Sequence, residues 1–178
     1  LNKLIKWLVA QSRKDYSLLM RSLATLLGAS LFVAGIPAVT FYVGKILDKG
    51  FLLPSGWAMA LAFICFALGL PWVMASVLWQ FIYGKGTPVP AFPTKEFLQD
   101  GPYKYIRNPM MLGFSLYLLG WSFLFNYYGA FVAASFFILL LFCEMKLIEE
   151  RELEIRFGDA YREYKKDTPF LIPKWRKK

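Results

Sequence analysis

Two stretches of the chain hold the residues whose types and spacing can do chemistry. Gly101 to Gly113 reads GPYKYIRNPMMLG, and Glu144 to Gly158 reads EMKLIEERELEIRFG. In the first, Arg107 is a permanently charged guanidinium fork near Tyr103 and Tyr105, able to grip a carboxylate or phosphate bidentately. The same position also suits an interfacial anchor that snorkels to lipid phosphates. In the second, Glu144 follows LLLFC directly and is the deepest carboxylate, with Glu149 and Glu150 a turn and a half further on. On a helix Glu149 and Glu150 point about 100° apart, so one can face a pocket while the other pairs with a basic neighbour. The alternative is a helix that simply becomes charged as it leaves a bilayer, with Glu152 and Arg156 as surface patterning. GKG at Gly84–Gly86 can admit a ligand against the backbone or merely turn the chain. Tyr103 and Tyr105 can meet a cationic sulfonium or an adenine ring.

Composition narrows the chemistry. Histidine is absent, which removes His-based general base catalysis, Ser-His and Cys-His pairs and the commonest transition-metal ligand. Cys65 and Cys143 sit in separate apolar runs and read as small core hydrophobes, so no disulfide framework or CxxC metal site is expected. No metal ligands are assigned. The basic residues follow a membrane topology and form no groove-facing stripe, so nucleic-acid binding is not expected either.

The elements that must position these residues are membrane helices. At 178 residues the chain suits one domain, and 57% hydrophobic content lies far above the soluble average. Residues 1–21 place Leu1, Leu4, Ile5 and Leu8 on one helical face among Lys3, Lys6, Arg13 and Lys14, the pattern of an amphipathic helix lying in the interface. The apolar run that follows is too long for a secretory signal and lacks a small-x-small cleavage pattern. Ser22 to about Gly44 is long enough for a first span, with Gly35 and Pro37 suggesting a bend. DKG and PSG mark a short loop, and Trp57 to Tyr83 forms a second span containing Pro71. Four prolines from Pro88 to Pro102 exclude a helix there. Pro109 opens a third span ending near Phe125, and the minimal linker Asn126–Gly129 makes spans three and four antiparallel neighbours. The fourth, from Ala130 to about Cys143, continues as a charged helix expected to stop at Phe157-Gly158.

The expectation is an all-α integral membrane protein with four transmembrane helices, an N-terminal interfacial amphipathic helix and a charged cytoplasmic extension of the last span. Its parts are residues 1–21, the two spans within 22–83, and a unit over 84–178 of loop, hairpin and C-terminal helix. Five Lys and Arg precede the first span, four follow the second and ten lie from Lys146 onward, against two, Lys45 and Lys49, in the first loop. That asymmetry puts both termini, and both chemistry-bearing stretches, on the cytoplasmic side.

From GTPVPAFPTKEFLQDGPYKYIRNPMMLG, through an uncharged hairpin, to EERELEIRFGDAYREYKKDTPFLIP, the chain resembles the isoprenylcysteine carboxyl methyltransferase and phospholipid methyltransferase superfamily. The shared pattern is GPY-x-x-x-R-(H/N)-P, a hairpin, then EE-x-x-L-x-x-x-F-G-x-x-Y-x-x-Y. It covers Gly84 to Pro173; the first two spans carry no signature. The resemblance implies a membrane enzyme that binds S-adenosylmethionine at the cytoplasmic face and takes a lipid-like acceptor, an isoprenoid carboxylate or a phospholipid, from the bilayer. It places Arg107 and Asn108 in the catalytic role, and Tyr103, Arg107, Asn108, Pro109, Glu149 and Glu150 at the cofactor. Asn108 stands where many members have His, and Met111 where Tyr is usual, departures that imply altered substrate, lower activity or a relative that no longer methylates; a degenerate, non-enzymatic membrane partner is the third reading. Membrane sterol reductases share a similar layout but use NADPH, the second reading; the paired Glu before LEIRFG fits the methyltransferase branch better. In-line methyl transfer to an already ionised acceptor needs positioning above all, which in a His-free chain favours a carboxylate over an amine.

Overall fold

A computed structural model of the chain describes residues 2–47 and 50–173. Leu1, Lys49 and the basic tail from Lys174, used above, lie outside the described residues, as does most of the DKG turn. Among the described residues five helical segments carry the fold. These are α1 (Asn2–Ser12), α2 (Leu18–Ile46), α3 (Ser55–Ile82), α4 (Pro109–Phe125) and α5 (Tyr128–Asp167).

Helices α2, α3 and α5 are long and apolar enough to cross a bilayer. The expected third span, α4, is a 17-residue apolar helix, which rises about 26 Å at ~1.5 Å per residue against a hydrocarbon core of about 30 Å. It is also the best-buried helix, with Met111, Phe114, Tyr117 and Leu118 all inside. It therefore serves as the centre of the bundle. The faces of α2, α3 and α5 that point away from it expose large apolar side chains, among them Leu27, Phe63 and Leu139. Lipid is the solvent such faces suit.

Local sequence sets the helix ends. Ser17 Oγ accepts from the Met20 N–H and caps α2, so the polar N-terminal helix ends at Ser12, short of the expected boundary at residue 21. Arg21 thereby falls inside α2, and its guanidinium donates to the carbonyls of Phe81 and Gly86. Pro109 opens α4, and Asn126 closes it with φ of 55°, its amide bonding both the N–H and the C=O of Leu53. At Gly158, φ of 54° breaks α5 where a stop was expected, but helical structure resumes and runs on to Asp167. The α3–α4 contact depends on glycine. A Cβ on either Gly69 or Gly113 would lie 2.7 Å from the other's carbonyl oxygen. Such backbone approach supplies van der Waals packing where helices have no hydrophobic driving force between them.

At one end of the bundle the polar segments gather. Lys95 pairs with Asp15, and the Arg107 N–H donates to the Pro169 carbonyl at 2.9 Å. The α1 helix packs on α5. Ile5 and Leu8 are buried against protein, while Leu4 and Trp7 are left outward. The apolar stripe is thus divided between two neighbours, and the side with β-branched Ile5 seals the bundle end.

Candidate functional site

A cavity of about 240 Å³ lies where α2, α3, the 87–94 loop, α4 and α5 converge. Its membrane-side wall is apolar and includes Phe32, Val73, Phe114 and Leu141. Its polar end carries Gln80, Thr87, Glu149, Glu152 and Arg156, with Leu8 of α1 reaching in above them. A wider groove of about 580 Å³ between α1 and α5 is lined by Asn2, Lys6, Arg151 and Arg162 and has none of these enclosed polar groups.

The paired glutamates divide between two environments. Glu149 lines the cavity and makes no ion pair among the described residues. Glu150 faces away. Its Oε1 forms an ion pair with Arg107 Nη2 at 3.1 Å, and its Oε2 lies 3.3 Å from Lys146 Nζ and 3.1 Å from Lys165 Nζ. The Arg107 and Glu150 side chains are each only 8% exposed. Burial on that scale makes the pair a structural commitment, since breaking one half strands the other in low dielectric. Arg107 Nε and Nη1 have no partner among the described residues, and its guanidinium lies over the Phe170 ring at 5.7 Å.

Asn108 and Tyr103 join the same structural layer. Asn108 Nδ2 donates to the Phe170 carbonyl at 3.2 Å, which clasps the segment after α5 against the start of α4. The Tyr103 carbonyl accepts from Tyr164 Oη at 2.6 Å. Its own hydroxyl accepts from Gln80 Nε2 at 2.6 Å. Burial pushes the Tyr103 phenol well above its ordinary range, so it stays neutral. Gln80 Oε1 is left buried with no donor, although Gln80 itself lines the cavity. Pro109 is fully buried as the first residue of α4. Of the six residues expected at the cofactor, the structure puts Glu149 on the cavity wall. Arg107 and Glu150 are brought together behind it, with Tyr103, Asn108 and Pro109 around them. Met111 lines the cavity.

Other side chains of the site carried weaker sequence signals. Arg156 donates to Glu152 Oε1 at 2.7 Å and also to the Thr94 carbonyl, and these two side chains are 6% and 7% exposed. Their four-residue spacing reads as surface patterning, yet the pair is buried and lines the cavity. The GKG segment acts as a turn: a Cβ on Gly86 would sit 2.3 Å from the Thr94 Cα, and the Gly84 carbonyl accepts from the Lys95 N–H at 2.7 Å. The aromatic residues after the paired Glu pack on Phe97, which stacks on Phe157 at 5.0 Å and meets Tyr164 edge-on at 5.4 Å. This cluster fixes the 94–100 loop to α5 and so sets the wall bearing Thr94.

Among the described residues, the charged side chains lining the cavity are Glu144, Glu149, Glu152 and Arg156. Three carboxylates against one guanidinium, itself committed to Glu152, give a surface suited to a ligand carrying positive charge. The buried Gln80 acceptor points the same way, because it lacks a donor.

Residues 57–160 match the family described as Phospholipid methyltransferase. The chain is 39% identical over 77 residues to Protein-S-isoprenylcysteine O-methyltransferase of Schizosaccharomyces pombe, covering 42% of this chain and 31% of that protein. It is 34% identical over 96 residues to Methanethiol S-methyltransferase 1 of Bradyrhizobium diazoefficiens, covering 54% of this chain and 30% of that protein. The match thus spans about a third of the length of either relative.

Proposed function

The chain belongs to the phospholipid methyltransferase family, and from that premise we propose that it transfers a methyl group from S-adenosylmethionine to a lipophilic acceptor drawn from the membrane. The observation that carries the reading is Glu149, unpaired at the polar end of a cavity whose opposite wall is made of apolar membrane helices. S-adenosylmethionine supplies a methyl on a sulfonium, a leaving group that departs as a neutral thioether. Glu149 attracts the cationic ammonium or sulfonium, while Gln80 Oε1 accepts from a donor of the same ligand. Arg156, pinned by Glu152 and Thr94, holds the polar wall in place. Arg107 and Asn108, assigned catalytic roles by resemblance, act in this reading by fixing the register of α5 through Glu150 and Phe170. Tyr103 and Pro109 support the same layer.

The cavity is slightly smaller than the roughly 300–1,000 Å³ of typical ligand sites. Nucleotide-sized cargo therefore requires α1, through Leu8, or the 87–94 loop to yield on binding. The clustering of Lys and Arg at this end of the bundle supports a cytoplasmic site with both termini on that side. The two relatives act, by name, on an isoprenylcysteine and on methanethiol, so likeness leaves the acceptor open. The test is to incubate the purified chain in nanodiscs with methyl-labelled S-adenosylmethionine and a total lipid extract. Label should pass to the organic phase, and S-adenosylhomocysteine should suppress it and raise the unfolding temperature. Stabilisation by NADPH alone, with no transfer, would overturn the proposal in favour of a reductase.

A further inference from the structure

Helix α1 partitions two spaces of opposite charge at the polar end of the bundle. At ~100° per residue, Lys6 and Leu8 point nearly opposite ways. Leu8 reaches into the cavity, whereas Asn2 and Lys6 look into the wider groove of about 580 Å³ between α1 and α5. On its other wall α5 supplies Arg151, Glu154 and Arg162, and Ile5 and Ile155 add apolar surface. Gly158 also lines the groove, and a Cβ there would meet nothing within 4 Å, so the kink in α5 leaves this side open. Neither Lys6 nor Arg151 has an ion-pair partner among the described residues. Arg162 pairs with Asp159 at 2.7 Å, but the two side chains are 62% and 91% exposed, so another anion readily takes the place of Asp159. Glu154, the one carboxylate lining the groove among the described residues, is already met by Lys165 at 2.9 Å. The groove is therefore short of negative charge, the reverse of the cavity. Lys6 faces two guanidinium groups across it, and this repulsion works against the seating of α1, which Ile5 and Leu8 hold by apolar burial.

We propose that this groove is an effector site for a phosphate group, separate from the site of methyl transfer. The bound anion bridges Lys6 of α1 to Arg151 and Arg162 of α5, and so keeps α1 seated with Leu8 over the cavity. Guanidinium forks match phosphate oxygens in pairs, and the Lys6 ammonium adds a point charge. A space of this size admits a phosphate ester with its substituent. The site does not depend on the methyl-transfer reading, since S-adenosylmethionine carries no phosphate and the groove lies across α1 from the cavity. The phosphate comes either from an anionic lipid headgroup or from solution. Leu4 and Trp7, exposed on α1 shortly before the span opens at Leu18, favour the lipid. Occupancy opposes the yielding of α1 that a nucleotide-sized ligand requires, so the anion couples the membrane surface to entry into the cavity.

Amide hydrogen exchange across α1 reads its seating directly, with no cofactor present. The full chain is placed in phosphatidylcholine nanodiscs, in nanodiscs that also contain phosphatidylglycerol, and in phosphatidylcholine nanodiscs with inorganic phosphate, all at one ionic strength. Phosphatidylglycerol should slow exchange in α1 by about tenfold or more. Lys6→Gln and Arg151→Gln should each cut that protection by about fivefold, the scale of one cation near an anionic surface. Lys104→Gln removes an exposed cation outside the groove and should leave the protection intact. Protection by phosphatidylglycerol alone assigns the phosphate to a lipid headgroup, and equal protection by inorganic phosphate assigns it to a soluble ligand. Protection by neither would overturn the site. So would protection that falls as much in Lys104→Gln as in Lys6→Gln, because surface charge as a whole would then account for it.

Discussion

Glu149 and Glu150 are adjacent in sequence, yet they occupy opposite electrostatic settings on α5. On the cavity side, Glu149 shares its surroundings with Glu144 and Glu152, and among the described residues Arg156 is the sole lining cation. On the other side, Glu150 is approached by Arg107, Lys146 and Lys165, the first at 3.1 Å. One face is short of positive charge, and the other has it in excess. The contrast teaches that a motif of two carboxylates can divide its labour. One residue is kept available for a ligand, and the other anchors the helix that presents it. The anchoring side also ties three segments together, because Arg107 opens the way into α4 while Lys146 lies 3.9 Å from the Phe170 ring centroid.

The largest effect should come from Glu150→Gln, which leaves three cations facing one another around a neutral amide. Removing one half of a buried pair typically costs about 3–5 kcal/mol, and the unfolding temperature in detergent should fall steeply. Arg107→Ala should cost less, because Lys146 and Lys165 still neutralise Glu150; equal losses in the two variants would break the distinction drawn here. Gly113→Ala should come next, since its Cβ would press on the Gly69 carbonyl and the Val73 nitrogen, both 2.7 Å away. Overpacking of this kind costs about 1–3 kcal/mol, read by the same thermal measurement and expected to leave the Glu149–Glu150 difference intact. Glu149→Gln should leave the ligand-free unfolding temperature nearly unchanged or slightly raised, because it removes a carboxylate from beside Glu144 and Glu152. The smallest effect belongs to Lys85→Ala. Its pair with Glu96 is more than half exposed on both sides, so the loss should stay within about 0.5 kcal/mol. It serves as the control for surface charge.

Much of this arrangement was legible in the sequence. The proline spacing excluded an α-helix from the 88–102 loop, where a 3-10 turn begins only at Gly101, Pro109 marked the start of α4, and the short Asn126–Gly129 linker required α4 and α5 to pair. The ~100° between neighbouring helical residues was enough to anticipate that Glu149 and Glu150 would part company. What escaped was set by contacts between distant segments. Ile5 and Leu8 turn towards protein because α5 offers them a surface, which a stripe of apolar residues does not distinguish from lipid. Glu152 and Arg156 look like solvated patterning until the Thr94 loop folds over them. The π turn at Met145–Glu149 is one residue's worth of extra winding and carries no composition signal, yet it decides that Glu144 faces the cavity. The bounds of α4 matched the expectation from Pro109 to Phe125; its burial at the centre of the bundle did not show in the sequence, because an apolar run buried by other helices has the same composition as one that faces lipid.

Equilibrium binding of S-adenosylhomocysteine to the wild-type chain, Glu149→Gln and Glu150→Gln tests the division of labour most directly. A charge-assisted hydrogen bond contributes about 1.5–3 kcal/mol, so Glu149→Gln should weaken binding by about 10- to 100-fold in a protein of wild-type stability. Glu150→Gln should lose stability while retaining near wild-type affinity at temperatures where it remains folded. The reverse pattern, with affinity lost in Glu150→Gln and kept in Glu149→Gln, would contradict the assignment of Glu149 to the ligand.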